Sequence, residues 1–200
     1  VAHRVDVGTG ANLEARARAA RLAVLPVGVL TGHTADDQAE TVLLRLLRGA
    51  GAAGLAAIDP GPTHPLLALR RSDTATVAAG VASEHGVTLV DDPSNRDPSI
   101  RRNRVRHEVL PLLADVAARD VVPLLTRTAD LLRADDALLD ALAAQLDPTD
   151  ARALAAAEPA LARRAVRRWL TVAGYPPDAA AVERVLAVAA GDVGSAARTL

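Results

Sequence analysis

The chain has 200 residues, half of them apolar, and a formal net charge of −1 at pH 7. This balance argues against bulk attraction to a polyanion, so any nucleic-acid contact must come from local arginine clusters. The absence of cysteine excludes disulfides and thiolate metal sites and fits a reducing compartment. Because the sequence contains neither an apolar run of about 20 residues nor a signal-peptide core, we expect a soluble cytoplasmic protein.

Residues 1–90 alternate between predicted strands and predicted helices. Short apolar runs predict strands at residues 5–7, 27–30, 65–69 and 87–90. Capping residues and helical spacing predict helices at residues 12–25, 34–48 and 72–85, with Asn12, Thr34 and Ser72 at their starts. This alternation predicts an α/β domain built on an incomplete doubly wound, mostly parallel sheet.

The helix at residues 34–48 carries the strongest local signals. Thr34 and Asp37 have the spacing of a capping box, and Gly49 supplies a C-terminal stop. Its predicted apolar face consists of Ala39, Val42, Leu43, Leu46 and Leu47.

From Ile100 onward the sequence shows only helical periodicity. Prolines interrupt it near Pro111, Pro123, Asp147–Pro148, Glu158–Pro159 and Pro176–Pro177. The sequence therefore predicts an α/β domain over residues 1–115, followed by an all-α domain over residues 116–200.

The first candidate site lies where a predicted strand leads into a helix, a common position for ligand sites in open α/β sheets. It contains His33, Asp36, Asp37, Glu40 and Thr41. Carboxylates at a helix start can hold a divalent cation that bridges to phosphate, and His33 can contact a phosphate or transfer a proton. The alternative is that Thr34 and Asp37 only cap the helix, while Asp36 and Glu40 are solvated acids favoured by its dipole.

The second candidate site joins an acidic loop, residues 91–97, to an arginine-rich helix. That helix contains Arg101, Arg102, Asn103, Arg104, Arg106 and His107. On a helix Arg102 and Arg106 share one face, as do Asn103 and His107. Guanidinium groups bind phosphate bidentately, so the block predicts a site for a phosphate or a zwitterion. The alternative is an exposed charged helix that pairs locally with the acidic loop.

A third block places four arginines beside an apolar stripe. The arginines are Arg163, Arg164, Arg167 and Arg168, and the stripe is Ala162, Val166, Trp169 and Leu170. A phosphate-backbone contact is one interpretation. We favour the other, a solvated basic face over a packing stripe with Trp169 in the core.

Taken together, residues 12–18, 32–54, 91–95, 102–113 and 163–170 resemble the tRNA(Ile)-lysidine synthetase family, in order and over most of residues 5–190. The resemblance implies an ATP-dependent ligase of the N-type ATP pyrophosphatase fold that uses ATP and Mg²⁺. Members adenylate C2 of the wobble cytidine in tRNA(Ile) with a CAU anticodon, and free L-lysine then displaces AMP. The modified tRNA reads AUA as isoleucine.

The resemblance also implies roles for individual residues. His33 and Asp37 match the catalytic motif, and Asp36, Glu40 and Thr41 match positions near ATP and Mg²⁺. A further set, which matches positions for phosphate or tRNA contact, is Arg102, Asn103, Arg104 and Arg106. The resemblance gives no certain metal ligand and leaves a homodimer open.

One family feature is missing from this sequence. Members carry a Ser-Gly-Gly-x-Asp-Ser loop whose backbone N–H groups cradle phosphates, and no such loop occurs here. We expect it to be encoded in frame upstream of Val1, so that the 200 residues alone are incomplete for activity. Two alternatives remain: a non-catalytic tRNA-binding or truncated remnant, and a related sulfur-transfer tRNA modifier, which typically needs cysteine pairs.

Overall fold

The structure is a computed structural model that describes residues 4–10, 13–171 and 177–191. Its α-helices are α1 Leu13–Ala23, α2 Ala35–Leu46, α3 Ala52–Leu55, α4 Arg71–Glu84, α5 Arg101–Arg104, α6 Leu110–Ala117, α7 Val122–Ala143, α8 Ala151–Ala156, α9 Pro159–Leu170 and α10 Ala179–Ala189. A 3-10 helix, Pro93–Arg96, precedes α5, and a π-helix, Val105–Val109, joins α5 to α6. Among the helices of these ranges, none combines the length and the apolar composition of a membrane span.

The chain divides into two compact units. The first contains Val1–Leu44 and Ile58–Thr126, and the second contains Arg45–Ala57 and Arg127–Leu200. The first unit therefore holds the blocks around His33 and Arg102, whereas the second holds the four arginines of α9.

The four predicted strands do not form in the described part of the chain. Residues 65–69 consist of turns, in which Leu67 donates its N–H to His64 and Leu69 donates to Leu66. Residues 27–30 include a turn, and residues 5–7 and 87–90 have no regular structure. A β-ladder requires a second segment at hydrogen-bonding distance, and an apolar run alone does not specify that partner. The predicted sheet is therefore not observed in these residues.

The predicted helices agree with the structure better than the predicted strands do, because the hydrogen bonds of a helix join residues that are close in sequence. The structure confirms helices at α1, α2 and α4, and Gly49 ends the α2 segment with a φ of +74°. The prediction that Ser72 caps α4 is wrong, since α4 begins at Arg71. The backbone N–H of Arg71 donates instead to Asp36 Oδ2 at 2.7 Å, so a residue of α2 caps α4. Asn12 lies outside the described residues.

Prolines mark several of the predicted breaks beyond Ile100. Pro159 occupies the first turn of α9, where its missing N–H costs nothing. Pro111 was expected to interrupt the helical periodicity, but it lies in the first turn of α6, directly after the π-helix. The wider π turn therefore precedes a residue that cannot donate a backbone hydrogen bond, and the helical path continues through it.

The core of the first unit is formed mainly by α2, the π-helix and the start of α7. Its buried side chains are Ala35, Ala39, Leu43, Val105, Leu110, Val121 and Val122. Three of the five residues on the predicted apolar face of α2 are buried, namely Ala39, Val42 and Leu43. The prediction is wrong for Leu46 and Leu47, which are 54 % and 74 % exposed at the end of the helix.

The second unit has its own apolar cluster around α9. Its buried members are Ala143, Leu154, Ala162, Ala165, Val166 and Val182. Ala162 and Val166 confirm the predicted packing stripe. Trp169 was expected in the core but is 50 % exposed in the last turn of α9, outside this cluster.

A matched pair of glycine substitutions tests the helix assignment. Gly49→Ala should lower the free energy of unfolding by about 1 kcal/mol, because a side chain at positive φ is strained. Gly80→Ala, in the exposed middle of α4 with open space around it, should raise it by roughly 0.5 to 1 kcal/mol. Urea denaturation followed by far-UV circular dichroism measures both. Equal effects of the two substitutions would contradict the assignment.

Candidate functional site

The site begins at the N-terminus of α2. Thr34 donates both its backbone N–H and its hydroxyl to Asp37 Oδ2, each at 2.8 Å. This confirms that Thr34 and Asp37 interact as the capping-box spacing predicts, with Asp in place of the usual Glu. The other oxygen of Asp37, Oδ1, faces arginines.

Glu40 lies one turn further along α2 and is completely buried, with an exposed fraction of 0 %. Its Oε1 accepts Nη2 of Arg71 at 2.9 Å and Nε of Arg106 at 2.8 Å. Its Oε2 accepts Nε of Arg102 at 2.7 Å and Nη2 of Arg106 at 3.2 Å. A buried carboxylate loses its hydration, and charge-assisted hydrogen bonds of this kind offset that loss. The alternative that Glu40 is a solvated acid is therefore wrong.

Asp37 shares the same arginines. Its Oδ1 lies 3.0 Å from Nη2 of Arg71, 3.1 Å from Nη2 of Arg102 and 3.7 Å from Nη2 of Arg106. We call these five residues the arginine–carboxylate cluster. Its three guanidinium groups face two carboxylates, which leaves one positive charge in excess. None of the hydrogen bonds in the described ranges uses Nη1 of these arginines, so the cluster keeps donors for a further acceptor.

The pKa of Asp37 is lowered from its ordinary value. Burial alone would raise this pKa. The two hydrogen bonds from Thr34 and the positive charges of Arg71 and Arg102 outweigh the burial and favour the ionised form. Asp37 is therefore an anion at neutral pH, as its ion pairs require.

Asp36 forms a second set of ion pairs beside the cluster. Its carboxylate accepts Nη2 and Nε of Arg70 at 3.0 and 3.2 Å, in addition to the N–H of Arg71. Arg70 also pairs with Asp120, whose Oδ1 accepts the N–H of Val122 at the start of α7. Asp36, with a side chain 14 % exposed, thus links α2 to α4 and is not a solvated acid.

Thr41 uses its hydroxyl within α2. The Thr41 Oγ1 donates to the backbone carbonyl of Asp37 at 2.7 Å. The structure thus places Thr41 next to the cluster but directs its hydroxyl to the backbone.

The arginine-rich helix has the two faces that its spacing predicts. Arg102 and Arg106 contact Glu40, which corrects the alternative that they pair with the acidic loop. On the other face, Asn103 Nδ2 donates to the carbonyls of Ser94 and Asp97 at 2.6 and 2.9 Å. His107 Nε2 lies 3.1 Å from the carbonyl of Asn95 and completes this second face.

Arg104 lies apart from both faces. Its side chain is exposed and pairs with Glu108 one turn later at 2.8 Å. The structure therefore brings Arg102 and Arg106 together at the carboxylates, directs Asn103 to the loop and leaves Arg104 at the surface.

His33 precedes α2 and lies beside a second histidine. Its Nδ1 is 2.8 Å from Thr31 Oγ1, and its ring centroid is 5.2 Å from that of His64. His64 is in turn held by Thr63, at 3.1 Å between Oγ1 and Nδ1. His64 was not among the predicted site residues, and it lies directly before the predicted strand at residues 65–69.

A Mg²⁺ site needs several oxygen ligands that are free to coordinate the ion. In the part of the chain that the structure describes, no three His, Asp or Glu side chains are arranged to hold a metal ion. Asp36, Asp37 and Glu40 accept arginine donors, and the Thr41 hydroxyl is bonded to backbone. These residues therefore do not fit a dedicated Mg²⁺ site.

Sequence reasoning also missed Arg71, which contacts both Asp37 and Glu40. One signal was available for the rest of the cluster. Asp37 and Glu40 share a face at i,i+3, and Arg102 and Arg106 share a face at i,i+4. The acidic pair on one helix and the basic pair on the other could have been predicted to contact each other from this spacing. No pattern in the neighbouring sequence predicts that Arg71 joins them.

The arginines of α9 lie in the second unit. Arg163 pairs with Glu183, and Arg164 pairs with Asp136 and Asp140, each at 2.6 Å. Arg167 and Arg168 are exposed and form no ion pair within the described residues. All four arginines line an open groove of about 580 Å³ that residues 50–54 also border. The groove therefore has two uncompensated positive charges.

The chain belongs to the PP-loop domain family, because the sequence model of that domain matches residues 1–113. A second model, described as the TilS substrate binding domain, matches residues 150–198. The PP-loop match supports an α/β fold of the ATP pyrophosphatase type, although no strand forms in the described ranges.

The sequence is also similar to curated proteins named tRNA(Ile)-lysidine synthase. It is 50 % identical over 186 residues to the protein from Nocardia farcinica, which covers 86 % of this chain and 57 % of that relative. It is 48 % identical over 181 residues to the Mycobacterium leprae protein, covering 84 % and 55 %. The Thermobifida fusca protein is 44 % identical over 200 residues, covering 92 % and 61 %. The chain thus spans 55 to 61 % of these relatives' lengths.

Glu40→Gln tests the role of the buried carboxylate. It removes the charge that compensates the arginines, so the free energy of unfolding should fall by about 3 to 5 kcal/mol. Glu108→Gln is the matched control, because the same substitution breaks only an exposed pair with Arg104 and should change stability little. Urea denaturation compares the two variants. Similar stabilities for both would contradict a buried ion-pair cluster.

The lowered pKa of Asp37 predicts how stability depends on pH. The folded pKa lies below the unfolded pKa, so the stabilisation is fully present above the unfolded value of about 3.9 and is lost as pH falls through the folded value. Between about pH 5 and pH 2 the wild type should lose more stability than Asp37→Asn. Urea titrations at each pH measure this difference. Parallel pH profiles would show that Asp37 is not held ionised by Thr34 and the arginines.

Proposed function

We propose that this chain is part of a tRNA(Ile)-lysidine synthase. The observation that carries the proposal is its 44 to 50 % identity to proteins of that name over 181 to 200 residues. The PP-loop match over residues 1–113 supports ATP use, and the TilS substrate binding match over residues 150–198 supports a tRNA substrate. We propose that residues 1–115 are part of the catalytic domain and that residues 116–200 form a helical domain that contacts tRNA, in line with the residues that the two models match.

The proposed reaction has two steps. ATP adenylates the C2 position of the wobble cytidine in tRNA(Ile) with a CAU anticodon, releasing pyrophosphate. The amine of free L-lysine then forms a bond to C2, the C2–O bond breaks, and AMP leaves. The product pairs with adenosine, so the tRNA decodes AUA. Mg²⁺ is proposed only as a companion of the ATP phosphates, since the described carboxylates do not fit it.

The arginine–carboxylate cluster supports an anionic substrate near α2. Its excess positive charge and the remaining Nη1 donors of Arg102 and Arg106 suit a phosphate. We propose that His33 and Asp37 act at the reacting groups. Asp36, Glu40 and Thr41 lie near ATP in this proposal, and the structure gives Asp36 and Glu40 the additional task of holding arginines.

The tRNA is proposed to contact both arginine-rich regions. In the first unit the candidate residues are Arg102, Asn103, Arg104 and Arg106. Arg104 is exposed, whereas Asn103 shapes the loop at residues 93–97. In the second unit, the uncompensated Arg167 and Arg168 offer contacts to backbone phosphates, which would make binding weaken with salt. We also propose a cytoplasmic location, because the proposed tRNA substrate is cytoplasmic. A homodimer is proposed on the family resemblance alone.

A second candidate is a tRNA-binding function without catalysis for the 200 residues taken alone. The observations in its favour are the match of residues 150–198 to the TilS substrate binding domain and the uncompensated charges of Arg167 and Arg168. This candidate predicts salt-sensitive tRNA binding without exchange of pyrophosphate into ATP.

Lysine incorporation tests the proposal directly. The protein expressed from its complete gene should transfer labelled L-lysine to a tRNA(Ile) transcript with a CAU anticodon, and only when ATP is present. A transcript with uridine at the wobble position is the control for the target base. Mass spectrometry of the digested tRNA identifies the product. Failure to incorporate lysine, with tRNA binding intact, would contradict the proposal and favour the second candidate.

Asp37→Asn tests the proposed role of Asp37 in the same assay. Lysine incorporation should be lost, while filter binding of tRNA stays within a few-fold of the wild type because the contacting arginines remain. Activity within a few-fold of the wild type would show that the Asp37 charge is not required for the reaction.

A further inference from the structure

His33 and His64 form a small polar cluster with two threonines at the entry to α2. Thr31 Oγ1 lies 2.8 Å from His33 Nδ1, and all four side chains are half-buried. The same Thr31 hydroxyl donates to the backbone carbonyl of Thr63, with 3.3 Å between the oxygens. The Thr31 N–H donates to that carbonyl at 2.8 Å. Thr31 is therefore held by two bonds to one acceptor, and its hydroxyl direction is restricted.

The donor and acceptor capacities of these groups determine the protonation of His33. A carbonyl oxygen only accepts hydrogen bonds, and a hydroxyl has a single hydrogen to donate. The Thr31 hydroxyl lies 2.8 Å from His33 Nδ1 and 3.3 Å from the Thr63 carbonyl, and both contacts are hydrogen bonds together only when the hydroxyl donates to Thr63 and accepts from His33. In that arrangement His33 Nδ1 carries the proton. In a neutral imidazole with Nδ1 protonated, Nε2 has the lone pair.

We propose that Thr31 is a positioning residue that fixes neutral His33 in the Nδ1–H tautomer, with Nε2 as the proton-accepting nitrogen. This inference rests on the proposed function for its chemical consequence. His33 has two candidate roles, phosphate contact and proton transfer. A phosphate contact through Nε2 needs an N–H donor there, whereas accepting a proton from a substrate needs a lone pair on Nε2. The tautomer therefore favours proton acceptance.

The proposed ligation contains a suitable proton. An ammonium group must lose a proton before its nitrogen can attack carbon. In the proposed step that proton passes to His33 Nε2, the C–N bond forms at C2, and AMP leaves with the electrons of the C2–O bond. His33 becomes the imidazolium, with Nδ1–H still directed at Thr31. His64 lies beside His33, with 5.2 Å between the ring centroids.

Nitrogen NMR of the complete protein labelled with ¹⁵N-histidine tests the tautomer without using activity. At a pH where the imidazoles are neutral, the long-range ¹H–¹⁵N correlations of His33 should show protonated Nδ1 and unprotonated Nε2. His33→Gln assigns the signals. Thr31→Val should shift His33 towards the Nε2–H form, and Thr31→Ser should retain the wild-type pattern. Thr63→Val is the matched control, because it keeps the accepting carbonyl and should alter only His64.

The kinetic readout distinguishes failure of this inference from failure of the proposed function. Thr31→Val should lower kcat for lysine incorporation roughly tenfold or more with little change in the KM for tRNA, while Thr31→Ser restores it. A wild-type protein with Nε2 protonated, or a Thr31→Val variant with an unchanged tautomer and kcat, overturns the inference. The expected tautomer in a protein that makes no lysidine would overturn the proposed function and leave the assignment of Thr31 supported.

Discussion

The structure of the first unit depends on burying the carboxylate of Glu40. Such a charge is stable inside a protein only when its hydrogen-bonding capacity is filled by opposite charges. Arg71, Arg102 and Arg106 fill it, and they come from segments 31 to 66 residues away in sequence. Glu40 therefore fixes the start of α4 and the α5–π-helix segment against α2. The apolar contacts of α2 with the π-helix reinforce the same arrangement.

The arginines that pair with buried Glu40 also determine which kind of ligand the site favours. The cluster holds one more guanidinium than carboxylate, so it favours an anion and does not offer free carboxylates to a metal ion. Asp37 contributes to this balance because Thr34 and the arginines keep it ionised. His33 precedes α2 and lies beside His64, and neither histidine is a member of the cluster. His33, the proton acceptor that we propose, and the positive charges of the cluster thus belong to the same unit, as the proposed reaction between a nucleotide and an amine requires.

The sequence predicted those features that depend on neighbouring residues. The extent of α2, the Thr34–Asp37 contact and the helical second half follow from local spacing and capping. Local information could not identify the ion pair between Glu40 and Arg71, because Arg71 comes from a segment with no periodic signal pointing to α2. It also misplaced the start of α4, which Asp36 caps from another helix. The predicted strands required partners that an apolar run does not specify.

The coupling between Glu40 and Arg106 tests the central role of the buried carboxylate most directly. The measurement is a double-mutant cycle on the free energy of unfolding, with Glu40→Gln, Arg106→Gln and both together. Our account predicts that the double variant is more stable than the sum of the single effects by about 1 to 3 kcal/mol, since each single substitution leaves a buried group without its partner. Effects that add to within about 0.5 kcal/mol would contradict it.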